Sequence, residues 1–159
     1  MLDKSNLRPW QTKACDQLVA AGSLLFGAQP GSGKTVTTLT AATHWRAAGT
    51  TRILLVAPRV ILDSVWQQEA ARWSHTADFT FDMAHQYSGA DREQLWFEGA
   101  GFFVTSTPDT LHKLVDRIAA RMLVPFDRVV VDESQLFKNP GAVRTRALLA
   151  ITEILETSQ

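Results

Sequence analysis

Two stretches of this chain carry residue types whose spacing could handle phosphate. The first is Ala28-Gln29-Pro30-Gly31-Ser32-Gly33-Lys34-Thr35; the second, about a hundred residues later, is Val131-Asp132-Glu133. Glycines let a backbone turn tightly enough for several N–H groups to face inward, where an anion can accept them. A lysine closing such a loop brings a point charge to β- and γ-phosphates, and the hydroxyl after it can ligate Mg²⁺. A helix starting there adds about half a positive charge at its N-terminus. In an enzyme built on this loop, the first acid at a later strand end holds Mg²⁺, usually through water. The second acid orients and deprotonates the attacking water. Lys34 and Glu133 are therefore the catalytic candidates, Gly31, Ser32, Gly33, Lys34 and Thr35 the phosphate cradle, and Thr35 and Asp132 the metal ligands. A glycine-rich turn and an acidic helix cap are the plain alternatives for each stretch alone. Their occurrence in one chain, in this order, favours ATP and Mg²⁺ as ligands.

The elements that must position these residues read as alternating strands and helices. Leu24-Leu25-Phe26 is a strand before the loop, and Val36 through Trp45 to Gly49 is a helix after it. Arg52 to Ala57 is a continuous apolar strand, of the kind buried on both faces. One helix then carries Leu62, Val65, Trp66 and Trp73 on a stripe, followed by a weakly alternating third strand within 78–83. A loop at 86–90 leads to a short helix over 91–97. Phe102 to Thr105 is another strand, and Thr107-Pro108-Asp109 supplies a hydroxyl cap, a first-turn proline and an acid for the next helix. Leu111, Leu114, Val115, Ile118 and Met122 form its apolar stripe. Three valines before Asp132 predict a buried strand whose C-terminal end carries the acids, the edge where open α/β sheets bind ligands. Lys138-Asn139-Pro140-Gly141 breaks the chain, and 142–156 suits a last helix. At the front, Pro9 opens a helix that ends at Gly22 and buries Trp10, Ala14, Leu18 and Cys15.

Composition excludes several classes. With 159 residues, 45% hydrophobic and 20% charged, the chain is sized and balanced for one globular domain. Sixteen basic and sixteen acidic residues cancel, so no global field draws it to nucleic acid or to membrane. No apolar run approaches the length of a membrane span, and no apolar core follows the first basic residue as a signal peptide would require, so a cytoplasmic protein is expected. One cysteine allows no internal disulfide. The four histidines, His44, His75, His85 and His112, lack metal spacing and suit surface or packing roles. The five tryptophans fall on helix stripes and suit the core. Lys113, Arg117 and Arg121 lie four apart, which fits a solvated face better than a nucleic-acid stripe.

In order, the stretches resemble the first RecA-like domain of superfamily 2 helicases, most nearly the Swi/Snf-type branch with its phage and bacterial DEAD/DEAH-like relatives. Leu7-Arg8-Pro9-Trp10-Gln11 resembles the LRPYQ segment; Ala28–Thr35 resembles motif I, with alanine where the first glycine is usual. Leu55-Val56-Ala57-Pro58-Arg59, with Trp66-Gln67-Gln68-Glu69 after it, resembles motif Ia. Phe103-Val104-Thr105-Ser106-Thr107 resembles the segment that touches the DNA backbone. Val131-Asp132-Glu133-Ser134-Gln135 and Phe137-Lys138-Asn139-Pro140 resemble motif II and its extension, with Ser-Gln where this branch often has Ala-His.

The resemblance implies a P-loop α/β fold, a parallel sheet flanked by helices. It implies that Gln11 reads adenine and that Arg59, Ser106 and Thr107 meet the phosphate backbone of nucleic acid, most naturally double-stranded DNA. In that family the chain continues into a strand bearing an S/T-GTP sequence, and then into a second RecA-like domain with arginine fingers. Neither is found in 1–159, so the chain is expected to be the partial ATP-binding half of a helicase or translocase: a fragment, a truncated product or one piece of a split motor. A non-catalytic nucleotide- or DNA-binding regulator and a gene remnant are the alternatives.

Overall fold

The computed structural model describes residues 1–22 and 31–157. The expected strand at Leu24–Phe26 and the loop positions Ala28, Gln29 and Pro30 lie outside the described residues. In chain order the first half contains α1 (Pro9–Ala20), α2 (Lys34–Ala47), β1 (Ile53–Val56), α3 (Arg59–Ser64), α4 (Trp66–Arg72) and β2 (Phe81–Asp82). The second half contains α5 (Gly89–Glu98), β3 (Phe103–Ser106), α6 (Leu111–Arg121), β4 (Arg128–Val131) and α7 (Val143–Thr157). These elements form two compact units, one of Met1–Thr50 with Ser64–Phe79, the other of Thr51–Asp63 with Thr80–Gln159.

The first unit is helical. α2 is rich in threonine, whose branched side chain is a poor helix former, yet Val36 through Ala42 are all buried. Burial of a helix on every side outweighs its propensity. Its hydroxyls are spent on the helix itself: Thr37 Oγ1 donates to Gly33 O (3.0 Å) and Thr40 Oγ1 to Val36 O (2.8 Å). Gly49, at φ 105°, ends it as expected, and Thr50 N donates back to Trp45 O at 2.9 Å. Ala14 and Cys15 of α1, Leu39 and Trp45 of α2, and Trp66, Ala70 and Trp73 supply the core.

His75 sits inside this unit with Nε2 2.9 Å from Thr40 Oγ1. That hydroxyl already donates to Val36 O, so the imidazole must be the donor and its Nε2 carries the proton. Burial, then the positive Lys4, lower the His75 pKa from 6.5, against a smaller opposing pull from Asp3. A depressed pKa means that the unfolded chain binds the proton first. The contribution of His75 is therefore complete above about pH 6.5 and is lost as pH falls through the lower folded value. Thermal unfolding followed from pH 7.5 down to pH 5 should show falling stability, and His75→Gln should flatten that slope. An unchanged slope in the variant would assign the acid sensitivity elsewhere.

The second unit holds one parallel sheet in the order β2-β3-β1-β4. Ile53 pairs with Phe103 and with Arg128, and Val56 with Ser106 and with Val131, so three strands end in register. β1 and β3 are buried at every position; β1 is apolar throughout, and in β3 the buried Thr105 and Ser106 hydroxyls are hydrogen-bonded. Leu54, Val56 and Val104 pack with Trp96 of α5, Leu111, Leu114 and Ile118 of α6, and Ala147 and Ile151 of α7.

Four expectations are corrected here. β4 is half-exposed at each of its four residues, because among the described residues it pairs on one side only, with β1. The stretch expected as one helix after β1 is two, broken at Val65. The third strand shrinks to Phe81–Asp82. Met122 leaves the α6 stripe: it is 93% exposed and left-handed at φ 49°, where the chain must stop helical winding before Pro125. Arg117 and Arg121 both pair with Glu93, which makes their face a solvated ion-pair surface.

Candidate functional site

The loop residues within the first unit form a cradle. Gly31 at φ 74° and Gly33 at φ 94° occupy the left-handed region that only glycine enters cheaply, and α2 begins at the next residue, Lys34. Gln11 lies over the loop with 5% exposure. Its Oε1 accepts from Arg8 N at 2.8 Å, and its Nε2 reaches Ser32 O and Gly33 O at 3.4 Å each. A methyl group on Gly33 would collide with Gln11 Nε2, so the glycine is needed for its conformation and for this close approach. Ser32 Oγ is buried without a hydrogen-bond partner among the described residues. A buried hydroxyl between two left-handed glycines, beside a lysine and a helix N-terminus, is a donor set that fits a polyphosphate.

The remaining candidates lie on the second unit, and the sheet brings them to one edge. Because β3, β1 and β4 end in register, Thr107, Ala57 and Asp132 leave the sheet side by side. Asp132 N donates to Val56 O at 2.8 Å, continuing the ladder one residue beyond β4. Glu133 then turns left-handed, φ 64° and ψ 53°, with its N–H donated to Asp132 Oδ1 at 3.1 Å. Gln135 Nε2 donates to Glu133 Oε2. Arg59 starts α3 after the Pro58 exit and is exposed. Ser106 differs from expectation: it is fully buried, its Oγ lying 3.0 Å from Thr110 Oγ1 and donating to Thr107 O at 3.3 Å. Thr107 is the half-exposed hydroxyl of the pair, 3.1 Å from Thr110 Oγ1.

A profile of SNF2-related domains matches residues 11–155. The chain belongs to this family. Protein p41 of Acyrthosiphon pisum secondary endosymbiont phage 1 is 31% identical over 150 residues, which is 91% of this chain and 32% of that protein. Among solved structures, the Sulfolobus solfataricus SWI2/SNF2 ATPase core in complex with dsDNA shares the fold at TM-score 0.71 and 24% identity. That match covers 92% of this chain and 30% of the solved one. The chain thus spans about a third of the length of either relative. No helix among the described residues is long and apolar enough to cross a membrane.

As an SNF2-related domain, the chain holds a polar network that no motif announced. Asp63, four residues after Arg59, pairs with it at 3.5 Å, and Asp63 Oδ1 also meets His85 Nε2 at 2.8 Å. Gln86 Nε2 donates to the same oxygen at 2.9 Å, and His85 Nδ1 lies 2.7 Å from Thr105 Oγ1. These bonds, first from Gln86 and then from His85, hold the Asp63 carboxyl below its usual 3.8. The i,i+4 spacing of Arg59 and Asp63 was the one available sequence signal.

Proposed function

We propose that this SNF2-related domain is the ATP-binding half of an ATP-driven motor acting on double-stranded DNA. The observation that carries the proposal is the Gly31–Lys34 cradle, with its two left-handed glycines and orphaned Ser32 hydroxyl held under Gln11. Lys34 would bring its ammonium to the β- and γ-phosphates, and the Gly31–Lys34 amides would take the phosphate oxygens. Gln11 would hold the loop and, through the second lone pair of Oε1, meet the adenine. Thr35 and Asp132 would hold Mg²⁺, which when bound neutralises charge building on the phosphoryl oxygens. Glu133 would orient the attacking water and take its proton. Exposed Arg59 and half-exposed Thr107 are the groups for duplex phosphates, and Ser106 supports Thr107 from beneath. Such contacts ignore base sequence and weaken with salt.

Hydrolysis in this scheme also draws on arginines of a second RecA-like domain. An arginine finger is worth about 10³–10⁵ in rate in NTPases that use one. The 159 residues should therefore bind Mg·ATP while hydrolysing it slowly. Calorimetric titration with Mg·ATP should show one site per chain, and Lys34→Ala should abolish it with the unfolding midpoint unchanged. No heat of binding at millimolar nucleotide would overturn the proposal.

A further inference from the structure

The network under Arg59 joins two elements that the proposed DNA edge depends on, α3 and the end of β3. Arg59 is exposed on α3, and an unrestrained arginine there loses rotamer freedom whenever it meets a phosphate. Asp63 restrains it from one turn away, through Oδ2 against Arg59 Nε at 3.5 Å. That pair leaves the two terminal amino groups for a phosphate, which takes them as a fork. Asp63 is itself fixed: Oδ1 is shared by Gln86 Nε2 and His85 Nε2. The His85 side chain is fully buried, and its other nitrogen rests on Thr105 Oγ1 in β3. Thr105 Oγ1 donates onward to Asp82 O at 3.1 Å, and Thr105 is followed directly by Ser106 and Thr107. One run of contacts thus spans from the β3 exit to the Arg59 guanidinium.

We infer that His85 and Asp63 are positioning residues for DNA binding, setting the Arg59 guanidinium in register with the Thr107 end of β3. The inference rests on the DNA reading of this edge and names what makes it rigid. A buried imidazole bonded through both nitrogens is a strut with little freedom, whereas a surface ion pair alone would contribute little order. Removing the carboxylate also removes a negative charge beside Arg59. Simple electrostatics therefore predicts tighter duplex binding for Asp63→Asn, and positioning predicts weaker binding. The two accounts differ in sign.

Duplex affinity would be measured on the whole chain from low to high salt for the wild type, Arg59→Gln, Asp63→Asn, His85→Phe and the double variant Arg59→Gln with Asp63→Asn. We expect Arg59→Gln to lower affinity about tenfold and to reduce the salt slope by about one. Asp63→Asn and His85→Phe should each reproduce most of that loss. The double variant should lose nothing beyond Arg59→Gln alone, a coupling that general loosening of the fold would not give. Should His85→Phe fail to fold, the surface Asp63→Asn and the double variant decide the matter. Wild-type binding with an unchanged or tightened Asp63→Asn variant, with additive losses in the double variant, or with an unaffected Arg59→Gln overturns the inference and leaves the DNA reading standing. No salt-dependent duplex binding by the wild type overturns both.

Discussion

Arg52→Met should destabilise the second unit by about 3–5 kcal/mol, the range for removing one partner of a buried, hydrogen-bonded ion pair. Arg52 stands one residue before β1, its side chain 9% exposed and paired at 2.5 Å with Asp82, which is 14% exposed. The guanidinium also donates to Leu95 O and Trp96 O, each at 2.6 Å, and to Gly101 O at 3.2 Å. Leu95 and Trp96 lie in the last turn of α5, whose final carbonyls have no partner within the helix. One cation therefore caps α5, neutralises the carboxylate at the end of β2 and ties down the Gly99–Gly101 bend. Methionine keeps the stem but leaves Asp82 charged and unpaired along with those carbonyls. For a chain of this size the unfolding midpoint should drop by roughly 10–15 °C. The double variant Arg52→Met with Asp82→Leu should recover only part, since Gly101 N, now donating to Asp82 Oδ2 at 2.8 Å, would lose its acceptor. A loss below about 1 kcal/mol in urea unfolding would mean that the cluster is not a structural centre.

That cluster also marks where sequence stops being informative. The glycine turn is legible because its residues adjoin, and the left-handed angles at Gly31 and Gly33 follow from glycine itself. β1, β3 and β4 are legible from the apolar residues at their centres, and their parallel pairing follows from the helices between them. Arg52 gives no such signal. Its partners are 30 to 49 residues away, and an arginine before a strand looks the same whether it caps a helix or faces solvent.

The edge of the sheet was legible in outline and misjudged in burial. Ser106 and Thr107 are adjacent hydroxyls at a strand end, and which one faces outward depends on the last paired residue, here Ser106 opposite Val56. One residue past that pairing the chain leaves the covered sheet, so Ser106 is buried and Thr107 half-exposed. β4 reads as a buried strand because three valines are as apolar as the core, but burial depends on what lies beside a strand. Among the described residues β1 lies on one side only. From sequence His85 suits a surface or a packing role; its burial fits the second, and Asp63, 22 positions earlier, gives no signal as its partner.

Glu133→Gln should leave Mg·ATP affinity within a factor of about two and reduce single-turnover hydrolysis by about 10²–10⁴, the span of general-base effects. The backbone at Glu133 makes this more than a restatement of the residue's type. A non-glycine residue at φ 64° costs about 1–2 kcal/mol, and such angles persist only where neighbours impose them. Here the Asp132 carboxylate takes the Glu133 N–H, and Glu133 O accepts from Leu136 N at 3.0 Å, starting the Ser134–Phe137 turn. Strand, acid and turn together aim the Glu133 side chain, and the Gln135 amide holds it. Glutamine keeps the left-handed turn and the acceptor for Gln135 but has no basic carboxylate. Glycine at 133 should do the reverse, relieving the strain and raising stability by up to about 1 kcal/mol while also losing hydrolysis. Unchanged stability in Glu133→Gln and raised stability in Glu133→Gly, with a shared loss of turnover, would locate the strain at the proposed general base. Wild-type turnover in Glu133→Gln would remove Glu133 from the chemistry and leave its left-handed turn as a device for ending β4.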